Sequence, residues 1–361
     1  MNKEKIDLFK YIDNFNKYKQ VESVLTYGEK ESIKDPYITI AIPTYKRNSL
    51  LKEAIDSALN QINSDCEFEV IVVDNEVKIG VETETEKLIK SYSDKRLLYY
   101  KNEENIGMFG NWNRCIELSR GKWIAFLHDD DLLKADYICK ITHLIARKRN
   151  IGAILASFET IGVHHKKQKQ ELNNLKQVLK QLFLKIGKTK LMRIRTIDSQ
   201  ISDSNMYGAP TCGSIFNREY AIKEGGFNEE FFPSADWFYM FKFNKSYKVY
   251  VTLDILGYYR FLVNESLNPN TLREFIIDKA NFSEFNSRHS LIGLIMYKLF
   301  RYEQHFVTVK ASIKQDKSSS IKPEEFNYLC EYKIRPVRLY IYKIINILYL
   351  RLRKVSALIL G

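Results

Sequence analysis

The stretch Lys122-Trp123-Ile124-Ala125-Phe126-Leu127-His128-Asp129-Asp130-Asp131 runs an apolar segment into three adjacent carboxylates. Trp123 to Leu127 has the length and composition of a buried strand. Three like charges at that spacing repel one another, so the strand end needs water, a basic partner or a divalent cation. The plainer reading is a solvated strand end with an Asp capping the next helix. The stretches on either side bear on the choice.

Working outward, strand and helix patterns alternate. Ile38 to Ile42 reads as a first strand stopped by Pro43, followed by a helix whose Leu50, Leu51, Ala54, Ile55, Ala58 and Leu59 fall at helical spacing behind Ser49 as its cap. Phe68 to Val73 reads as a second strand ending in Asp74 and Asn75, Glu82 to Ser91 as a helix, Leu97 to Tyr100 as a strand and Asn111 to Leu118 as a helix. After Trp123 to Leu127 come a helix over Ala135 to Lys148 and a strand over Gly152 to Phe158. Such alternation predicts an α/β fold, a mostly parallel sheet covered by helices on both faces, with ligands beyond the carboxyl ends of the strands. Pro43 to Arg47, Asp74 and Asp129 to Asp131 all fall at those ends.

Composition bounds the function. A chain of 361 residues, 45% hydrophobic and 28% charged, can bury a sizeable core and spans two or three units. Met1 to Lys10 carries no apolar signal-peptide core, and the five cysteines form no Cys-x-x-Cys pair, so the expectation is a reducing, cytoplasmic setting without a disulfide framework or zinc site. The net charge of +12 is local: Lys166 to Arg195 carries +9 and Pro336 to Gly361 carries +5. No Gly-x-Gly-x-x-Gly follows the first strand, which argues against a dinucleotide enzyme. Gly187-Lys188-Thr189 lacks the first Gly of a phosphate loop, and His164-His165 has no third metal ligand at a recognisable spacing.

Pro43-Thr44-Tyr45-Lys46-Arg47 supplies a hydroxyl, an aromatic face and two cations, as a base and a diphosphate would need, or else is a plain turn. Asn105-Ile106-Gly107, with Gly110, Asn111, Trp112 and Asn113, offers flexible backbone and amide donors, or else a helix cap. Gly208 to Ser214 is a small-residue segment suited to close backbone approach, with Gly213 near its end. Asp236, between Ala235 and Trp237, heads an aromatic helical run; as a lone first-turn carboxylate it also suits the helix dipole.

Together, Ile40 to Arg47, Val72 to Asn75, Asn105 to Asn113 and Gly121 to Asp131 resemble the motifs of family 2 glycosyltransferases of the GT-A fold. The resemblance implies an inverting, nucleotide-sugar-dependent transferase, with Mg2+ or Mn2+ as cofactor and a UDP-sugar as donor. It implies that Asp74 contacts uracil, Asp129 the ribose, and Asp130 the metal, with Asp131 a further metal ligand. Pro43, Thr44, Tyr45, Arg47, Asn75, Asn105, Gly107, Asn113, Gly213 and Trp237 would line the substrates. Asp236 would be the catalytic base, and Arg260, in Gly257-Tyr258-Tyr259-Arg260 beside Asn264-Glu265-Ser266, would steady the leaving diphosphate or else merely pair with a surface carboxylate. Two departures are visible: His128 stands where many relatives carry Asp, and Glu76, Val77 and Lys78 follow Asn75 in place of a hydroxyl residue and a second Asp.

The expected organisation is a helical leader over 1–36, a GT-A domain over 37–270 and a helical region over 271–361. The GT-A domain divides into a donor half (37–160), a basic insertion (161–200) and an acceptor half (201–270). Helices are expected over Leu272 to Tyr302 and Tyr328 to Leu360, with Lys314 to Pro323 as a linker. The tail's central uncharged run, Ile344 to Leu350, is too short to span a bilayer. It reads either as an interfacial helix on an anionic membrane, suited to a lipid-linked saccharide acceptor, or as a helix packed on the domain or in a homodimer. No nucleic-acid partner is expected. The rival activity is a sugar-phosphate nucleotidyltransferase, against which stands the absence of Gly from Pro43 to Arg47; nonenzymatic polyanion binding leaves the strand-end carboxylates unexplained.

Overall fold

β-branched and aromatic residues in near-continuous buried runs build the centre of this fold. The computed structural model describes residues 10–78, 80–162, 191–195, 197–201, 212–260, 268–316, 320–330 and 334–360. The strands are β1 (Ser23–Tyr27), β2 (Ile38–Thr44), β3 (Phe68–Asp74), β4 (Leu97–Asn102), β5 (Trp123–Phe126), β6 (Leu132–Leu133), β7 (Ile151–Ile161), β8 (Leu191–Arg193), β9 (Ile215–Asn217) and β10 (Lys248–Arg260). The helices are α1 (Asn48–Leu59), α2 (Glu84–Lys90), α3 (Gly107–Leu118), α4 (Tyr137–Ala146), α5 (Asp198–Ile201), α6 (Arg218–Lys223) and α7 (Ala235–Ser246). A helical region follows: α8 (Pro269–Ser287), α9 (Leu291–Gln315), α10 (Asn327–Cys330) and α11 (Pro336–Leu360).

The strands form one mixed sheet in the order β1-β4-β3-β2-β5-β9-β7-β10-β6, with β8 also on β10. The ladder from β4 through β3 and β2 to β5 is parallel, matching the alternating half of the sequence. Antiparallel pairs then bring in β9 and β6. Alternation sorts the core into two layers: Ile40 and Ile42 of β2 pack with Leu51 and Ile55 of α1, while Ala41 packs with Trp112 and Ile116 of α3.

Several local expectations give way to tertiary structure. The leader is not helical throughout: among its described residues, β1 pairs antiparallel with β4, its side chains alternating between half-buried and exposed as on a sheet edge. Pro43 does not stop β2, because pairing with β5 ends at Ala41 and no partner there needs the missing N–H. Ser49 lies inside α1, whose cap position is Arg47. Leu272 to Tyr302 is broken between α8 and α9, where the Ser290 hydroxyl accepts the Gly293 N–H and starts a new helix. Residues 163–190, with His164-His165 and Gly187-Lys188-Thr189, lie outside the described residues, as do Gly208 to Thr211 and Asn264 to Ser266.

A charge sits inside the sheet at Glu69 of β3, fully buried. Arg120 donates to one carboxylate oxygen through Nε at 2.8 Å and Nη2 at 2.5 Å, and the Thr39 hydroxyl donates to the other at 2.7 Å. Removing one partner of a buried pair leaves the other uncompensated. Glu69→Ala is therefore expected to destabilise the protein by about 3 kcal/mol, measured by urea unfolding; a loss below about 1 kcal/mol would mean that water replaces the carboxylate.

Candidate active site

The carboxyl end of β5 carries the acidic run, and each carboxylate is held by a different element. Thr44, at the end of β2, donates its hydroxyl to Asp129 Oδ2 at 2.8 Å. Arg47, at the start of α1, reaches Asp130 Oδ2 at 2.5 Å and Asp129 Oδ1 at 3.8 Å. Arg260, the last residue of β10, donates its backbone N–H to Asp131 Oδ1 at 2.8 Å and its Nε to the Asp130 carbonyl at 2.8 Å. Its Nη2 goes to Glu53 of α1 at 2.6 Å. β6 pairs with β10 at Leu133–Gly257 and Leu132–Tyr258, which fixes that placement. Only glycine fits at 257, since a Cβ there would lie 2.9 Å from the Leu132 carbonyl oxygen.

Asp131 Oδ2 is buried without a hydrogen-bond partner and faces His128 Nδ1 at 3.3 Å, within ion-pair distance but not in hydrogen-bond geometry. His128, Asp130 and Asp131 bring ligand atoms within 4.8 Å of one another. An orphaned carboxylate oxygen beside a second carboxylate and an imidazole fits a divalent cation such as Mg2+ or Mn2+. Another group, Asp65, Cys139 and His143, meets the same distance limit, but His143 Nδ1 lies 2.6 Å from the Cys139 carbonyl oxygen, within α4, and is taken there.

Burial pushes Asp129 up to about 6, against the opposing pull of Thr44 and Arg47. Burial alone would depress His128, but Asp131, Asp130 and Asp129 outweigh it and raise the imidazole. The ring packs at a tilt of 30° against Trp112 of α3, centroids 5.1 Å apart. Asp236 opens α7, its Oδ1 accepting the Trp237 N–H at 2.7 Å; burial raises it, while that hydrogen bond and the charge of His128 pull it down. His128 is thus close enough to Asp236 for their charges to interact.

The other sequence-derived residues divide. Tyr45 is exposed with Lys46 over its ring at 4.9 Å, and Gly107 opens α3 with free space where a Cβ would stand. Asn105 is exposed and accepts the Gly107 N–H. Asp74 is buried at the end of β3, accepting from the Glu76 N–H at 2.7 Å and the Tyr99 hydroxyl at 2.8 Å. Asn75 donates to the Gly107 carbonyl and accepts from Asn102.

Three residues read as substrate-facing serve the fold here. Asn113 grips the backbone of Phe227, donating to its carbonyl at 2.8 Å and accepting its N–H at 2.7 Å. Trp237 is buried against Phe282 of α8, centroids 4.2 Å apart. Gly213 adopts φ +68° and is packed in, its carbonyl accepting the buried Tyr137 hydroxyl. Glu53, inside α1, steadies Arg260; no signal in one sequence links positions 53 and 260.

The family model described as "Glycosyl transferase family 2" matches residues 39–225, more than half the chain, and takes in the acidic run, Arg47 and Asp74. The chain belongs to this family. An uncharacterized glycosyltransferase of Methanocaldococcus jannaschii is 32% identical over 124 residues, 34% of this chain and 41% of the relative. One from Rickettsia prowazekii is 38% identical over 116 residues, 32% of this chain and 33% of the relative. The aligned stretches thus span well under half of these relatives. Among solved structures, a mannosyltransferase from Pyrobaculum calidifontis in complex with GDP-Man and Mn2+ superposes with a TM-score of 0.51 at 15% identity, covering 96% of this chain and 91% of that one. That likeness is one of fold, and the fold of this family 2 transferase is GT-A.

Burial also pushes Asp74 up to about 6. A carboxyl raised in the folded state contributes stability that is complete below its ordinary 3.8 and is lost as the pH rises through about 6. Asp74→Asn is therefore expected to flatten the fall in melting temperature across that window. Identical pH profiles for wild type and variant would show that Asp74 titrates alike folded and unfolded.

Proposed function

We propose that this glycosyltransferase is inverting and metal-dependent. It moves a sugar from a UDP-sugar to a hydroxyl of a saccharide or lipid-linked saccharide, in surface-polysaccharide assembly at the cytoplasmic face of a bacterial membrane. The observation that carries the reading is the meeting of Asp130, Asp131 and His128 with the cations Arg47 and Arg260 at the strand ends, and with Asp236 within electrostatic reach.

Residues 37–160 would hold the donor and 201–270 the acceptor. Asp130 and Asp131, with His128, would hold Mg2+ or Mn2+, which when bound neutralises the diphosphate as charge develops on it. Thr44 holds Asp129 in place for the ribose. Arg47 and Arg260 set positive charge on the leaving side. Asp236 accepts the acceptor's hydroxyl proton as that oxygen attacks the anomeric carbon and the bond to the diphosphate breaks. Burial raises Asp236, which makes it a stronger base than a solvated carboxylate.

Incubation with a panel of UDP- and GDP-sugars, with and without Mn2+, tests the reading by the product released. A nucleoside diphosphate is expected, whereas pyrophosphate would make the protein a nucleotidyltransferase. Asp130→Asn should abolish transfer and remove the Mn2+ dependence of UDP binding; unchanged turnover would remove Asp130 from the metal site. Asp236→Asn keeps the shape while removing the proton acceptor. Calorimetry should find donor affinity within a few-fold of wild type, and a transfer assay should find turnover lower by at least about a hundredfold. Loss of donor binding in a folded Asp236→Asn protein would place that residue on the donor side.

A further inference from the structure

The helical region is built inside out. One side of α11 faces the protein through Tyr342, Ile345, Tyr349 and Arg353. Tyr342 packs on Phe300 of α9 at 5.6 Å between centroids, with Ile345 in the same cluster. Tyr349 donates its hydroxyl to Asp198 Oδ1 at 2.5 Å, and Arg353 pairs with that carboxylate at 3.0 Å. Asp198 is fully buried and Arg353 nearly so. The polar end of the helix thus points inward.

The apolar residues point out. Val337, Ile341, Ile344, Leu348, Leu352 and Val355 recur every three or four positions, which makes one stripe on a helix, and all are exposed, Val337 by 70% and Leu352 by 68%. Lys343 and Arg351 are exposed beside it. The first half of α9 repeats the pattern: Leu291, Ile292, Ile295 and Leu299 are exposed, Leu291 by 73%, next to Lys298 and Arg301. Neither 336–361 nor 291–302 contains an acid. An apolar surface of this extent is seldom left open to water.

We infer that the exposed rows of α9 and α11 form a docking face for an anionic lipid bilayer, the helices lying in the plane of the headgroups. Two observations choose this occupant. In a twofold pair of identical surfaces the same patch meets itself, and here cations would face cations with no acid to offset them. A bilayer bearing anionic lipids meets both the apolar rows and the cations beside them. Among the described residues no helix is long and apolar enough to cross a membrane, so contact is with one leaflet. The inference rests on this surface alone and not on the donor chemistry.

Vesicle flotation tests it without reference to activity. The full chain is expected to float with vesicles of phosphatidylglycerol and phosphatidylcholine in equal parts, far less with phosphatidylcholine alone, and to be released by high salt. Each exposed cation removed, in Lys343→Gln or Arg351→Gln, should lower the partition coefficient about fivefold at low salt. Ile341→Ser with Leu348→Ser should abolish flotation; both positions are exposed, and circular dichroism and melting temperature should stay at wild-type values. Three results would overturn the proposal. The first is equal flotation with both vesicle types, and the second is flotation indifferent to these substitutions. The third is a concentration-dependent dimer, seen by light scattering, that the serine variant dissociates while vesicles capture neither protein; it would assign the face to a second copy of the chain.

Discussion

Three carboxylates in a row at the end of a buried strand are a standing electrostatic cost, and the topology is arranged around holding them. Each is steadied from a different part of the chain: Thr44 from β2, Arg47 from α1 and Arg260 from the end of β10. Arg260 matters most, because it acts through its backbone as well as its side chain and lies 129 positions away from Asp131. The small strand β6, directly after the acidic run, is what brings it there. A cluster that takes hydrogen bonds from the end of β10 as well as from β2 and α1 ties the late part of the domain to the early part.

The first half of the domain was legible because its pattern is simple. Strands β2 to β5 are buried on both faces and read as apolar runs, and the helices between them carry clean apolar stripes. β1 escaped notice because an edge strand exposes alternate residues, and Val24 and Thr26 look the same in a polar leader as in a strand. Register and pairing with β4 come from tertiary contact, which one sequence does not print. At the site, charged residues were easier to place than neutral ones. Arg260 bonds the acidic run through its backbone N–H and Nε and pairs with the surface carboxylate Glu53, whereas Asn113, Gly213 and Trp237 turn to the backbone and the core. An amide satisfies a ligand or a peptide group equally well, and only the fold decides which is nearer.

The helical region carries polar groups in places where most domains bury leucine. Glu303 is fully buried on α9 with the partly exposed Arg338 of α11 3.6 Å away, and Arg353 and Asp198 make a buried pair at the other end of α11. Buried ion pairs contribute little net stability against well-packed apolar residues, but they penalise misaligned packing heavily. They fix the rotation of α11 about its own axis, and therefore which of its faces looks outward.

Helix α3 has a position of its own in this arrangement. Trp112 packs at a tilt against His128, and the next residue, Asn113, holds Phe227, whose ring centroid lies 4.3 Å from that of Tyr239 on α7, the helix whose first turn carries Asp236. One helix therefore touches the imidazole of the acidic cluster and, through Phe227, the helix that carries Asp236. In evolutionary terms, such a wall resists piecemeal change: a substitution in α3 disturbs the surroundings of His128 and the helix of Asp236 together, whereas the loops that α3 does not touch can vary one at a time.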